Sequence, residues 1–292
     1  MKRVSKEGRE YPFSKGILAS SLDITGLPLG KIYEIVEEVD DELKDAREVP
    51  SKKIKKKVRE KLLERGLKKE EKYYRITRQL RYLKKPILIM MGGGPGVGKS
   101  TLSAELGHRL NITRIIGSDT VREIMRTMVS KELVPTLYES TFMTDEKVNA
   151  PFVKDRLIYG FDRQVSVVNM GIKAVIDRGI KEGLNTIING VHLVPGYIDI
   201  EDLENCFTFQ YVLEVPNIEE HMDRFVTRAK GSHRDPQRYI DRIEKIRKIQ
   251  EYTIKQGKEN GAKIIRNTSM EKTIREMMDD IITNLEPVMN DG

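Results

Sequence analysis

Only one cysteine occurs in 292 residues. Cys206 therefore excludes an internal disulfide and suits a reducing, cytoplasmic setting. A lone small thiol fits beside a buried strand better than it fits a nucleophile's role. Long apolar runs are missing as well. No stretch approaches the roughly 20 residues of a membrane-spanning helix. The start, Met1-Lys-Arg-Val-Ser-Lys6, has no apolar centre of the signal-peptide kind. Neither a membrane span nor a secretory leader is expected. No nucleic-acid-binding motif with interleaved aromatics is present, so a nucleic-acid partner is not expected either.

Charge is abundant, at 33% of residues, with Lys, Glu and Ile frequent and Gln scarce, a usage common in proteins of hot environments. The net charge of +7 is unevenly placed: residues 1–85 hold 24 Lys and Arg against 15 Asp and Glu, and the rest is slightly acidic. The basic excess peaks in Ser51-Lys-Lys-Ile-Lys-Lys-Lys-Val-Arg59. Ile54, Val58 and Leu62 recur through that run at four-residue spacing, which predicts an amphipathic helix with a solvated basic face, and a nucleic-acid patch is the alternative.

Gly93-Gly94-Pro95-Gly96-Val97-Gly98-Lys99-Ser100 is a complete phosphate-binding loop, followed by Thr101. Pro86–Met91 before it reads as a buried strand and Thr101–Leu110 after it as a helix, the context in which such a loop works. Glycines let the backbone N–H groups curl towards phosphate oxygens, and the helix N-terminus adds favourable potential. Lys99 is placed to reach the β- and γ-phosphates, and the Ser100 hydroxyl to ligate Mg²⁺. A nucleoside triphosphate, ATP, with Mg²⁺ or another divalent metal, is the expected ligand set.

The residues before this loop read as helical. Ile32, Ile35, Val36, Val39 and Leu43 form one apolar stripe. Val49-Pro50-Ser51 breaks the chain, with Ser51 as a cap for a helix ending near Gly66, and a further helix runs over about 69–83. Residues 1–85 thus form a small helical domain that opens on an irregular or hairpin segment. After the loop, strands at 114–118, 184–188, 207–215 and 263–266 alternate with helices at 120–129, 135–182 (interrupted near Asn149-Ala-Pro151), 218–229, 236–258 and 271–285. The second domain, 86–292, is therefore α/β, a five-stranded parallel sheet with helices on both faces and nucleotide at the carboxyl ends of its strands.

Asp119 ends the second of these strands, with Arg122 and Arg126 one and two helix turns on. The carboxylate can orient an acceptor hydroxyl, accept its proton and help hold the metal; alternatively it is only a helix cap. The arginines can grip an anionic acceptor. A lid is expected around 228–238, with Gly231 as hinge and Asp235-Pro236 as a helix start. Arg228 and Arg234 are its leading candidates for neutralising the transferring phosphoryl; Arg238 would bind the acceptor and Arg224 would support them. Surface pairing, Asp241 with Lys245 and Glu244 with Lys248, is the alternative for this charge-rich segment. The third strand ends in Asn189 where an acidic residue could hold the metal shell. His192, just beyond, could bind acceptor phosphate or carboxylate, or be structural.

The loop together with Ile115-Ile-Gly-Ser-Asp-Thr-Val-Arg122, Gly190-Val-His-Leu-Val-Pro-Gly196 and Ser232-His-Arg-Asp-Pro-Gln-Arg-Tyr239 resembles the archaeal 2-phosphoglycerate kinases over nearly the whole chain. That resemblance implies transfer of the ATP γ-phosphoryl to the 3-hydroxyl of 2-phosphoglycerate. The product would be 2,3-bisphosphoglycerate, the precursor of a cyclic solute. The family usually carries Glu where this sequence has Asn189. Val4–Lys15, with the helices after it, resembles an ATP-cone, which makes Lys6, Arg9 and Lys15 candidate contacts to a regulatory nucleotide; the alternative is a helical cap that binds nothing. Another small anionic acceptor, a charged tRNA, or a nucleotide-gated regulatory role are the competing functions, and a homodimer is possible.

Overall fold

A computed structural model of the protein describes residues 2–198, 204–230 and 235–290. The chain divides into two compact units. The first comprises residues 1–83, 108–111 and 278–292; the second comprises 84–107 and 112–277.

The first unit opens on a hairpin, β1 (Arg3–Lys6) and β2 (Arg9–Pro12), whose two-residue turn places Glu7 and Gly8 at positive φ, 53° and 76°. Four helices follow: α1 (Lys15–Leu22), α2 (Leu29–Glu42), α3 (Ser51–Glu64) and α4 (Lys68–Thr77). Between α2 and α3 lies a strand where only a break was expected. β3 (Glu48–Pro50) runs parallel to β1 and completes a sheet of order β2-β1-β3. Ser51 is the first residue of α3 and makes no capping bond, so the expected cap is absent. The stripe Ile32, Ile35, Val36, Val39 and Leu43 is buried against Leu18, Leu22, Ile54, Val58 and Leu62. The basic side of α3 is ion-paired: Lys57 and Lys61 both meet Glu42, at 2.9 and 2.6 Å.

The second unit is built on β4 (Ile87–Gly93), β5 (Arg114–Gly117), β6 (Thr186–Asn189), β7 (Phe207–Glu214) and β8 (Lys263–Arg266). All pairings are parallel and the order is β5-β6-β4-β7-β8. Every residue of β4 is buried, as a central parallel strand requires. The helices that follow β4 in the chain are α5 (Lys99–Leu110), α6 (Ser118–Met128), α7 (Arg156–Lys181), α8 (Ile218–Ala229), α9 (Gln237–Ile240), α10 (Ile243–Glu259) and α11 (Met270–Asn290); the end of α5 from His108 and the larger part of α11 from Met278 belong to the first unit. Leu88 and Met90 of β4 pack with Val121 and Met125 of α6 and Val168 and Ile172 of α7. Met91, pointing the other way, meets Ser103 of α5 through its Sδ at 3.5 Å. Helices therefore cover both faces.

The expected helix over 135–182 is three pieces: 3-10 turns at Pro135–Tyr138 and Thr141–Lys147, then α7. The expected helix over 236–258 breaks at Asp241-Arg242 into α9 and α10. Cys206 is buried just before β7, with its thiol pKa raised by burial. Among the described residues no helix is long and apolar enough to cross a membrane.

Candidate functional site

The carboxyl ends of β5 and β6 are level, with Gly117 beside Asn189; Asn189 lies beside Met91, and β4 runs two residues further to Gly93. The phosphate loop leaves β4 at this edge. Two of its glycines are there for lack of space as well as for conformation. Gly96 has φ +81°, and a Cβ on it would lie 2.5 Å from the Phe225 ring. Gly98 has φ +92°, and a Cβ there would lie 2.6 Å from Asn267 Nδ2. Lys99 begins α5 and folds back, its Nζ donating to Gly93 O (2.9 Å) and Gly94 O (2.7 Å). Burial lowers its pKa to about 8; the Asp119 carboxylate opposes that shift and Arg228 adds to it. These two charges, 20 and 129 residues away in the chain by numbering, thus act on one ammonium group.

Ser100 Oγ donates to Asn189 Oδ1 at 3.5 Å. Both atoms are neutral oxygens of the type Mg²⁺ accepts, and Mg²⁺ is commonly held by one or two protein groups with waters and substrate phosphates completing its shell. The donor set fits the metal on that basis. Among the described residues no group of three or more His, Cys, Asp or Glu side chains gathers as a metal site.

Asp119 is the second residue of α6, not the last of β5, and it is exposed in the first helical turn, with Gly117 in the cap position. Arg122 and Arg126 follow on α6, but neither guanidinium is wholly open. Arg122 donates Nε to Leu137 O (2.9 Å) and Nη2 to Glu139 O (2.7 Å), leaving Nη1 for other work. Burial lowers its pKa, opposed by Asp119. Arg126 bonds both Glu123 oxygens at 2.9 Å and lies over the Tyr138 ring.

His192 differs most from expectation. It is fully buried, and both ring nitrogens have partners: Ser118 Oγ at 2.8 Å from Nδ1 and Gln164 Oε1 at 3.2 Å from Nε2. The direction of this chain follows from the carbonyls at its end. Gln164 Nε2 faces Thr136 O and Glu139 O, which only accept, so it donates and leaves Oε1 to accept from His192 Nε2–H. A neutral ring then has its lone pair on Nδ1, and Ser118 donates to it. Burial holds the His192 pKa down at about 3, with Arg122 and Lys99 also lowering it and Asp119 opposing. His192 is thus an uncharged buried connector between α6, α7 and the turn at 135–138, and not an open cation facing an anionic acceptor.

The lid candidates separate. Arg228 is exposed in the last turn of α8, within electrostatic reach of Lys99. Arg224 is tied to the loop's outer side, donating to Val97 O at 3.3 Å and to Asn267 O and Glu220. Arg238 donates to Ser140 Oγ at 2.7 Å and stands over Phe142. Gly231 and Arg234 lie outside the described residues. α9 starts one residue later than expected, with Pro236 in the cap position, and Asp235 Oδ1 accepts from Gln237 N at 2.9 Å. In place of the alternative i,i+4 pairing, Lys245 and Lys248 of α10 make longer-range pairs: Lys245 meets Asp145 (2.7 Å) and Lys248 meets Asp155 (2.8 Å). In the first unit, Lys6 and Arg9 stand opposite each other and exposed on the hairpin, whereas Lys15 is paired with Glu37 and Asp40, which raise its pKa.

Sequence reasoning missed Ser118, Gln164, His221 and Asn267. His221 Nε2 is 2.7 Å from Pro95 O, and Asn267 Nδ2 donates to Val97 O at 2.8 Å. No local spacing signals any of them.

A family model described as an AAA domain matches residues 89–250, the stretch that carries the phosphate loop and the arginines of α6 and α8. A 2-phosphoglycerate kinase of Thermococcus kodakarensis is 41% identical over 94% of this chain and 94% of its own length. One from Pyrococcus furiosus is 41% identical over 99% and 96%, and one from Methanopyrus kandleri 35% over 97% and 88%. With both units covered at this identity, the chain belongs to the family of archaeal 2-phosphoglycerate kinases.

Proposed function

We propose that the chain transfers the γ-phosphoryl group of ATP to the 3-hydroxyl of 2-phosphoglycerate, giving 2,3-bisphosphoglycerate and ADP. The observation that carries the reading is a complete phosphate loop whose Lys99 lies within electrostatic reach of Asp119 and Arg228, in a chain of this family. The acceptor oxygen forms the new bond to the γ-phosphorus, the bond to the β-bridging oxygen breaks, and the hydroxyl proton passes to the Asp119 carboxylate. Loop amides and Lys99 would hold the β- and γ-phosphates, and Arg228 would neutralise charge that grows on the transferring group. Ser100 Oγ and Asn189 Oδ1, with Asp119 in addition, would hold Mg²⁺, which when bound screens the phosphate charge.

The acceptor carries a phosphate and a carboxylate, roughly three negative charges at neutral pH. Arg122 Nη1, Arg126 and Arg238 are the cations suited to receive it. The reaction is tested with ATP, Mg²⁺ and purified 2-phosphoglycerate, reading bisphosphoglycerate formed. A panel containing nucleoside monophosphates and charged tRNA runs in parallel. ATP binding without turnover of 2-phosphoglycerate, or faster turnover of another acceptor, would sink the assignment.

A further inference from the structure

The outer surface of the phosphate loop is held by side chains that the transfer reaction itself does not use. His221, on α8, is fully buried and stacks on Phe225 with ring centroids 5.4 Å apart and an interplanar angle of 18°. Its Nε2 lies 2.7 Å from Pro95 O. A carbonyl can only accept, so Nε2 carries the proton and the neutral ring's lone pair is on Nδ1, which is buried with no partner. Burial keeps this ring uncharged, its pKa lowered to about 4. Two residues on, Val97 O accepts from Asn267 Nδ2 at 2.8 Å and from Arg224 Nη1 at 3.3 Å. The Asn267 amide is oriented in turn by Thr273 Oγ1, which donates to its Oδ1 at 3.0 Å.

A trans peptide unit is planar, with its C=O and N–H pointing in opposite directions. Fixing the Pro95 carbonyl outward therefore fixes the Gly96 N–H inward, and fixing the Val97 carbonyl outward does the same for the Gly98 N–H. We infer that His221 and Asn267 are positioning residues of the phosphate loop: they hold two alternate peptide planes so that the Gly96 and Gly98 amides already face a polyphosphate before it arrives. The inference rests on the reading of this loop as a phosphate site. Without these bonds the two peptides, each flanked by glycine, could rotate, and binding would have to order them.

The test separates the polyphosphate from the nucleoside. Affinities for inorganic tripolyphosphate, ATP and adenosine are measured on the full chain, together with the KM for 2-phosphoglycerate. His221→Phe keeps the stack on Phe225 and removes the donor. It should weaken tripolyphosphate and ATP by about tenfold each, a difference of roughly 1.4 kcal/mol, with adenosine affinity and acceptor KM unchanged. His221→Gln restores an N–H donor and should return tripolyphosphate binding to within about threefold of wild type (the factor that ~0.6 kcal/mol represents). A side chain with only a packing role would lose thermal stability without this ligand split and would not be rescued by Gln. Asn267→Asp keeps the bond from Thr273, removes the donor to Val97 O, and carries the decision if His221→Phe does not fold. Wild-type tripolyphosphate affinity in both variants, or an equal loss for adenosine, overturns the inference. A wild-type chain that binds tripolyphosphate but does not phosphorylate 2-phosphoglycerate would overturn the proposed function and leave this inference standing.

Discussion

Replacing His192 by Phe separates an acceptor contact from a buried connector. Phe preserves most of the ring volume, so little cavity energy enters. What changes is hydrogen bonding: the Ser118 hydroxyl loses its acceptor and Gln164 Oε1 loses its donor, both in the fully buried Ser118–His192–Gln164 chain. An orphaned buried polar group costs about 1–3 kcal/mol, so two cost about 2–6 kcal/mol. That is a large part of the ~5–15 kcal/mol by which proteins are usually stable. Urea denaturation measures it. The chain's direction also makes the double variant informative. Ser118→Ala on top of His192→Phe removes one of the two orphans, so the double variant should be more stable than His192→Phe alone, by about 1–3 kcal/mol. The KM for 2-phosphoglycerate, measured below the unfolding transition, should move less than kcat, because the turn at 135–138 and the first turn of α6 lose their shared support. An unchanged unfolding midpoint with a KM raised tenfold would make His192 an acceptor ligand. A double variant less stable than the single one would show that loss of His192 does not orphan the Ser118 hydroxyl.

Other outcomes follow from the same geometry. Lys99→Ala should abolish transfer in a product assay, and wild-type turnover would remove its assigned role. Arg228→Gln should lower kcat by about 10²–10³ if it neutralises the transferring group, with ATP affinity changed only a few-fold; loss confined to ATP binding would make it a ground-state contact instead. Asn189→Asp places a carboxylate beside the Ser100 hydroxyl and should lower the Mg²⁺ concentration needed for half-maximal rate, which a Mg²⁺ titration at fixed ATP checks; a raised requirement would move the metal away from this pair. His192 and His221 have folded-state pKa values near 3 and 4, below the 6.5 of an unfolded histidine. The unfolded chain therefore binds more protons between about pH 6.5 and pH 4, and stability present above that window falls as pH drops through it, by at most about 2.7 kcal/mol per pH unit for two protons. Urea midpoints at pH 7, 6 and 5 read the slope, and His192→Gln with His221→Gln should flatten it; an equal slope in that variant would place the acid sensitivity elsewhere.

What was legible in the sequence was what short-range pattern encodes. The glycine loop, the apolar run of β4 and the stripe Ile32–Leu43 each announce themselves within a dozen residues, and the structure buries the run and the stripe as their patterns require. β3 was missed because three residues ending in Pro50 carry no alternation to read; its stability comes from pairing with β1, some 45 residues earlier. Local spacing offers Lys245 and Lys248 carboxylates one helix turn away as the alternative reading, yet they meet Asp145 and Asp155, since carboxylates brought close by the fold compete with those at local spacing.

The site divides along the same line. Residues that face the phosphates sit in a motif because several backbone amides must come from one curled segment. Residues that hold the segment's outer side face no such constraint and reach it from 126 and 170 positions away, so His221 and Asn267 leave no local trace. His192 shows the remaining difficulty. Its place in the loop after β6 was readable, but the direction of its ring is decided by two carbonyls of the 135–139 segment, acting through Gln164. Since those carbonyls can only accept, the ring is committed to a neutral form with its lone pair towards Ser118, and under the proposed function the arginines of α6 and Arg238 are left as the cations for an anionic acceptor.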